Sequence, residues 1–175
     1  SNATESASSN LKDDGKVLNI YCWNEEFKSR ITAHYPDYKE VDATHGKIGD
    51  VDVVWNITPS DDNAYQNNLD AALLNQQDAP ADDKIDIFLV EADNALKYVD
   101  TDYTAPVKDL GITDADLSKQ YQYTKDIVTD SKGVLKGVSW QGCPGVLFYN
   151  RDAAKEVLGT DDPDKVQESV KDWDT

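Results

Sequence analysis

The residues of this sequence best equipped for chemistry pair flat aromatic faces with hydrogen-bonding side chains: Trp23 beside Asn24 and Glu25, Tyr65 two places after Asn63, Glu91, and Trp140 beside Gln141. An indole or phenol ring stacks on the apolar C–H face of a sugar ring, and Asn, Gln and Glu side chains exchange hydrogen bonds with its hydroxyls. This is the chemistry of binding, with no bond broken. Each residue taken alone is more often a core ring or a solvated surface group. As a set on one edge of a fold they would line a site, with Tyr65 as a contact at its rim.

Reactive chemistry finds little footing. His34 falls on an amphipathic helix pattern and His45 in a loop, with no zinc-ligand spacing. No G-x-S-x-G, Walker A, H-E-x-x-H or dinucleotide-binding glycine pattern occurs. Asp61-Asp62-Asn63 and Asp100-Thr101-Asp102 carry oxygen ligands at calcium-like spacing but lack the Gly and distant Glu of a calcium loop, and read as solvated turns. With 34 acidic residues, some pair will imitate a glycosidase dyad by chance. No catalytic residue, metal or cofactor is expected.

The binding set needs elements to hold it. Val17 to Trp23 alternates as a strand, and Asn24-Glu25-Glu26 opens a helix through Phe27, Ile31 and Tyr35 that Pro36 ends. Val51, Val53, Trp55 and Ile57 share one face of a second strand, followed by the turn Pro59-Ser60-Asp61 and a helix marked by Tyr65, Leu69, Ala72, Leu73 and Gln76. A polar loop over 78–84 leads into Ile85 to Val90, an almost continuous apolar strand. Strands separated by single helices predict an α/β fold with a parallel sheet and right-handed crossovers. In such a sheet ligands gather beyond the carboxyl ends of the strands, where Trp23 to Glu25, Pro59 to Tyr65 and Glu91 to Asp93 would all fall.

Further along, Glu91 to Asp93 starts a short helix to Tyr98, and Thr113 to Asp116 has the form of a capping box before a helix over Leu117 to Tyr121. Ser131-Lys132-Gly133 supplies a turn, Val134 to Trp140 an alternating strand, and Gly142, Pro144 and Gly145 the punctuation before a second strand, Val146 to Tyr149. The run from Gly133 to Asp152 therefore reads as a strand crossing between two lobes. Arg151 to Leu158 is a helix closed by Gly159, and Asp162-Pro163 opens another through Val166 and Val170. Asp172-Trp173-Asp174-Thr175 looks like one more helix cap, so the chain is expected to stop inside a larger protein.

Composition limits the partners. A chain of 175 residues, 39% of them hydrophobic, holds one domain and a fragment of a second. The net charge of -17 would repel nucleic acid and anionic membrane surfaces, and the scattered carboxylates read as solubilising. No apolar run approaches the ~20 residues of a membrane helix. Ser1-Asn2-Ala3 resembles the scar of a cleaved tag, Met is absent, and residues 4–15 read as a flexible tether. A tether of this kind suits a protein held at a cell surface by a lipidated Cys upstream. Cys22 and Cys143 can form a disulfide in an exported protein or stand as two buried thiols, and their spacing leaves both open.

Several of these segments resemble one family. Gly133-Val-Leu-Lys-Gly-Val-Ser-Trp140 with Leu147-Phe-Tyr-Asn-Arg-Asp152 is similar to the "GKLYGLPW…LYYNKD" passage of the extracellular solute-binding proteins of ABC importers, in the maltose-binding-protein-like group. Leu18 to Asn24, Asp86 to Val90 and Asp172 to Thr175 add further likeness, so that the resemblance spans Lys16 to Thr175. The family's usual Pro after the hinge strand is replaced here by Ser139-Trp140, and Cys143 is an addition. The resemblance implies a type II periplasmic-binding-protein-like fold, with a three-layer first lobe over 16–138, a hinge crossing at 139–145 and the beginning of a second lobe over 146–175. It implies a receptor outside the cell that binds a sugar or oligosaccharide at Trp23, Asn24, Glu25, Tyr65, Glu91, Trp140 and Gln141 and delivers it to a membrane permease. A peptide- or polyamine-binding protein, or part of a cell-surface glycosidase, are the alternatives.

Overall fold

The computed structural model describes residues 15–174, which divide into two compact units, one up to Trp140 and one from Gln141 onward. The division lies between Trp140 and Gln141, inside the 139–145 segment. The Ser1 to Asp14 part of the tether, and the last residue of the final cap, Thr175, lie outside the described residues.

The first unit is built on a mixed five-stranded sheet. In chain order its early elements are β1 (Val17–Cys22), α1 (Glu26–His34), β2 (Tyr38–Glu40), β3 (His45–Ile48), β4 (Val51–Ile57), α2 (Ala64–Leu74), β5 (Ile87–Phe88) and α3 (Ala95–Val99). The strand order is β2-β3-β4-β1-β5, with β1 parallel to both β4 and β5 and the β2-β3-β4 edge antiparallel. The expected parallel core of three strands is present. The short β2 and β3 strands, absent from the sequence reading, extend it as a meander.

From β1 the chain moves outward to β4, then returns past β1 to β5. Right-handed crossovers on those opposite paths place α1 and α2 on opposite faces. Two buried clusters agree. On the α1 face Ile20, Cys22, Val53, Trp55 and Leu89 pack with Phe27 and Ile31, while Tyr21 and Phe88 meet Tyr65, Leu69, Leu73 and Tyr98 on the α2 face. The period-two alternation of the strands thus feeds two separate layers.

The α1 face holds an aromatic group with a steric requirement at its centre. Trp55, 2% exposed, donates its indole N–H to the Tyr38 hydroxyl at 3.1 Å, and its ring meets Phe27 and Tyr38 edge-on at 6.3 Å. Tyr38 in turn lies over Gly46, where a Cβ would stand 2.3 Å from the phenol ring. Only a residue without a side chain lets the β2-β3 meander close beneath that ring.

β5 is shorter than the apolar run 85–90 suggests. The Asp86 carboxylate accepts from the Asn19 N–H at 2.7 Å, replacing a backbone partner, so the regular ladder holds only Ile87 and Phe88. Thr113 and Asp116 make the reciprocal bonds of a capping box, with the Asp116 carboxylate accepting from Thr113 N–H at 2.8 Å and Oγ1 at 2.7 Å. Yet residues 117–121 turn without forming the expected helix, and α4 (Gln122–Asp126) begins after them. Capping satisfies a turn's donors whether or not a helix follows.

The crossing run differs most from expectation. Gly133, at φ 81, closes a tight turn, and Leu135 bridges Thr129 across it. Beyond Lys136 no regular strand forms up to Trp140, and the Gln120 side-chain amide donates to Ser139 O at 2.6 Å. Asp130, 8% exposed, anchors the turn by accepting from Lys132 N–H at 2.9 Å and Val134 N–H at 2.8 Å, with the Lys136 ammonium 3.5 Å away. The Val134 amide above all, with Lys132 and the Lys136 charge, holds this carboxyl below the usual range against the opposing effect of its burial.

In the second unit α5 (Arg151–Leu158) and α6 (Pro163–Ser169) follow the sequence reading closely. Asn150 caps α5 by accepting from Ala153 N–H, Gly159 ends it at φ 74, and Asp162 caps α6 with Pro163 at its first turn. Residues 146–149 form no strand among the described residues, and Val146, Leu147 and Phe148 are exposed. An apolar strand covered on both faces needs neighbours on both sides, and no described strand pairs with it.

Two stability predictions follow from these packing constraints. Gly46→Ala should lower the urea-unfolding free energy by about 1–3 kcal/mol, since the Tyr38 ring must leave its place over the strand. Asp130→Asn should unfold at lower urea than the parent at neutral pH. The folded pKa lies below the unfolded one, so the charge stabilises above the ordinary carboxylate range. The gap between variant and parent should close as pH falls below about 4.

Candidate functional site

At the carboxyl ends of β4, β1 and β5 the three loops surround a small concavity lined by Trp23, Ser60, Tyr65, Gln66, Leu89, Val90, Glu91, Asn94 and Tyr98. Each loop leads into a helical turn, which brings polar side chains to the same rim. Asn24 Oδ1 accepts from Glu26 N–H at 2.9 Å and starts α1. Asp62 and Asn63 take left-handed backbone, φ 52 and 60, to turn the chain from β4 into α2, a conformation Asp and Asn reach at lower cost than most residues. Glu91 accepts through its backbone from Asn94 N–H at 3.0 Å and opens the turn before α3.

Tyr65 plays a different part from the rim contact expected of it. It is 4% exposed and donates its hydroxyl to Leu89 O at 2.6 Å, with Tyr21 O at 3.1 Å. Tyr21 O also accepts from Leu89 N–H at 3.0 Å, so one phenol ties the ends of β1 and β5 together from the α2 side. Burial pushes its phenol well above the ordinary value, against the smaller effect of the Leu89 bond, and keeps the donor protonated. Its ring meets Trp23 edge-on, centroids 5.5 Å apart. Tyr65 is therefore the floor and brace of the concavity.

The other expected residues divide. Trp23 and Glu91 line the concavity, the first partly buried and the second exposed. Asn24 and Glu25 lie on the β1 loop beside Trp23, exposed and outside the lining. Trp140 packs on Phe27 of α1, centroids 5.3 Å apart, and joins the α1-face cluster. Gln141 belongs to the second unit and is exposed. The structure holds Cys22 and Cys143 as free thiols, Cys22 fully buried and Cys143 exposed. Burial pushes the Cys22 thiol up to about 11, against the nearby charge of Lys28.

Ser60, Gln66 and Asn94 line the concavity as well, outside the set that residue types and spacing indicate. Ser60 belongs to a turn that the sequence marks, while Gln66 and Asn94 follow Tyr65 and Glu91 by one and three places. A helix start at each loop end would have indicated them. Asn56 Nδ2, on β4, is a buried side-chain nitrogen with no hydrogen-bond partner among the described residues. No group of three or more His, Cys, Asp and Glu among them is arranged to hold a metal ion, and no described helix is long and apolar enough to cross a membrane. An aromatic ring and polar side chains around a concavity at a sheet's carboxyl edge can bind a small polar molecule.

A model of the bacterial extracellular solute-binding protein family matches residues 38–175. The chain belongs to that family. Searches of curated proteins and of solved structures give no match. As an extracellular solute-binding protein the chain is the receptor component of a transporter, with a small molecule as ligand, in a family that is typically non-enzymatic. The match begins at β2, so Tyr65, Glu91, Trp140 and Gln141 fall inside it and Trp23, Asn24 and Glu25 outside.

For this solute-binding protein the brace can be tested apart from the ligand. Tyr65→Phe keeps the ring and removes the bond to Leu89 O, and should cost about 1–3 kcal/mol in urea unfolding, the range for leaving a buried acceptor without its donor.

Proposed function

We propose that the solute is a sugar or oligosaccharide, captured outside the cell and delivered to the permease of an ABC importer. The observation that carries this reading is the meeting of the Trp23 indole with Ser60, Gln66, Glu91 and Asn94 around one concavity. An indole supplies the face for a pyranose ring, and the four polar side chains supply donors and acceptors for its hydroxyls. Asn24 and Glu25, on the neighbouring loop, add two more hydroxyl partners in this reading. Tyr65 would hold the floor beneath the sugar.

Trp140 and Gln141 belong to the proposal through the resemblance of their segment to the maltose-binding-protein-like hinge passage. In the same reading 139–145 is the hinge between two lobes, and solute shifts the population toward a closed form that the permease recognises. A lipidated Cys upstream would hold the receptor at the outer face of the membrane.

The experiment is isothermal titration with a panel of oligosaccharides, followed by substitution. Trp23→Ala should weaken binding of the best sugar by about 1–3 kcal/mol, the value of a large apolar face taken out of water. Unchanged affinity would remove Trp23 from the site, and the same titration of Trp140→Ala decides whether that ring reaches the solute or serves only the α1 cluster. Turnover of a chromogenic glycoside would overturn the receptor reading in favour of an enzyme.

A further inference from the structure

We infer that the solute carries a protonated amine, with its ammonium seated against the Trp23 ring and the Glu91 carboxylate. The inference rests on the concavity being the solute site and on the carbohydrate reading, which it narrows to an amino-bearing sugar.

Among the lining residues Glu91 is the one charged group, and the aromatic members are Trp23, Tyr65 and Tyr98. A cation gains from both kinds of group, since the face of an aromatic ring is electron-rich and a carboxylate supplies the counter-charge. An anionic solute would meet repulsion from Glu91 with no cation in the lining to offset it. A neutral sugar would leave the carboxylate to act as an acceptor alone.

The loops around the concavity share this bias. Glu25 follows β1, Asp61 and Asp62 follow β4, and Glu91 and Asp93 follow β5, while residues 23–25, 58–63 and 89–94 contain no Lys, Arg or His. No ion pair among the described residues involves these five carboxylates. Elsewhere Asp52 pairs with Lys47, Asp70 with Lys97, Asp130 with Lys136, and Asp161 with Arg151 and Lys155. The fold therefore supplies cations to acids at several places on its sheet and helices and leaves the ligand edge without them.

The protein already makes the proposed contact once, with its own side chains. The Lys97 ammonium lies 5.1 Å from the centroid of the Tyr98 ring and 2.5 Å from the Asp70 carboxylate, which also accepts from the Tyr98 hydroxyl at 2.9 Å. Although partial burial opposes it, the bonds from Lys97 and Tyr98 hold Asp70 below its ordinary value. Lys97 is neutralised there, so its charge does not cancel that of Glu91. Ring, carboxylate and ammonium meet at Tyr98, and Trp23 with Glu91 offers the first two members of such a set to a solute.

The test is calorimetric titration of the receptor, at mildly acidic pH and low salt, with glucosamine trimer, N-acetylglucosamine trimer and spermidine. The two sugars share a ring skeleton and differ in whether the nitrogen carries charge. Glucosamine trimer should bind about tenfold tighter than its acetylated counterpart, the combined effect of an aromatic face and a counter-charged carboxylate on one ammonium. Glu91→Gln, an exposed substitution whose folding is checked by its melting temperature, should bring the two within about twofold. Equal or tighter binding of the acetylated trimer overturns the amine and leaves the carbohydrate reading standing. Binding of spermidine with neither sugar keeps the ammonium and overturns the carbohydrate. Binding of none of the three overturns the amine and leaves the carbohydrate reading to the oligosaccharide panel.

Discussion

β1 is hydrogen-bonded along both edges, to β4 over its whole length and to β5 at Ile20 and Tyr21, and both partners run parallel to it. Parallel pairing sets the three strands to end on the same edge, because register and direction are shared. The three loops around the concavity therefore leave the sheet at one level. The ladder continues past the regular strands through Thr58 N–H on Cys22 O and Leu89 N–H on Tyr21 O. Tyr65 then closes it, with one hydroxyl reaching the carbonyls of Leu89 and Tyr21. The concavity is a consequence of strands that stop together and of a buried phenol that keeps two of their ends from separating.

The opposite face explains why two tryptophans of similar sequence setting behave differently. Trp23 follows β1 directly and touches both buried clusters, so it stands where the sheet edge meets the ligand side. Trp140 ends a stretch that forms no regular strand and finds its apolar surroundings on α1, against Phe27. Phe27, Trp55, Tyr38 and Gly46 form one packed sequence of contacts there, ring on ring and ring on backbone. Interiors filled in this way resist change of volume, so the α1 layer gives the strands a rigid backing.

Elements with strong local signals were legible in the sequence. The alternation of Val51, Val53, Trp55 and Ile57, the spacing of Tyr65, Leu69 and Leu73, and the Asn150, Gly159 and Asp162 caps all carry their structure within a few residues. The β2-β3 meander was not legible, because Tyr38 to Glu40 and His45 to Ile48 are short and mostly polar, and depend on a ring over Gly46 that is distant in sequence from Trp55. The capping box at Thr113 misled because the same two bonds satisfy an isolated turn. The strands expected at 134–140 and 146–149 failed for a related reason: an apolar run states that burial is needed but not which neighbour provides it. Of the site, the edge was legible and the members were partly so. Trp23 and Glu91 lie where a parallel sheet would put them, whereas the role of Tyr65 turns on two carbonyls that no spacing identifies.

The framework and the polar groups of the rim are shaped by different bonds. The strands are held by backbone bonds and two buried layers, and most of the polar residues around the concavity sit on three loops, each with its own local bond: Glu26 N–H to Asn24 Oδ1, Asn63 N–H to Ser60 O, and Asn94 N–H to Glu91 O. A side chain on such a loop can change while the bond that shapes the loop remains, provided the capping residue is kept. The fold can then be common to a family while the solute differs from member to member. That separation also explains how the match from β2 onward establishes the family without naming the solute. In the proposed reading the information about the solute lies in the identity and charge of Trp23, Ser60, Gln66, Glu91 and Asn94, which line one concavity. It is read from the chemistry of those groups, and the scaffold contributes only the constraint that they face one another.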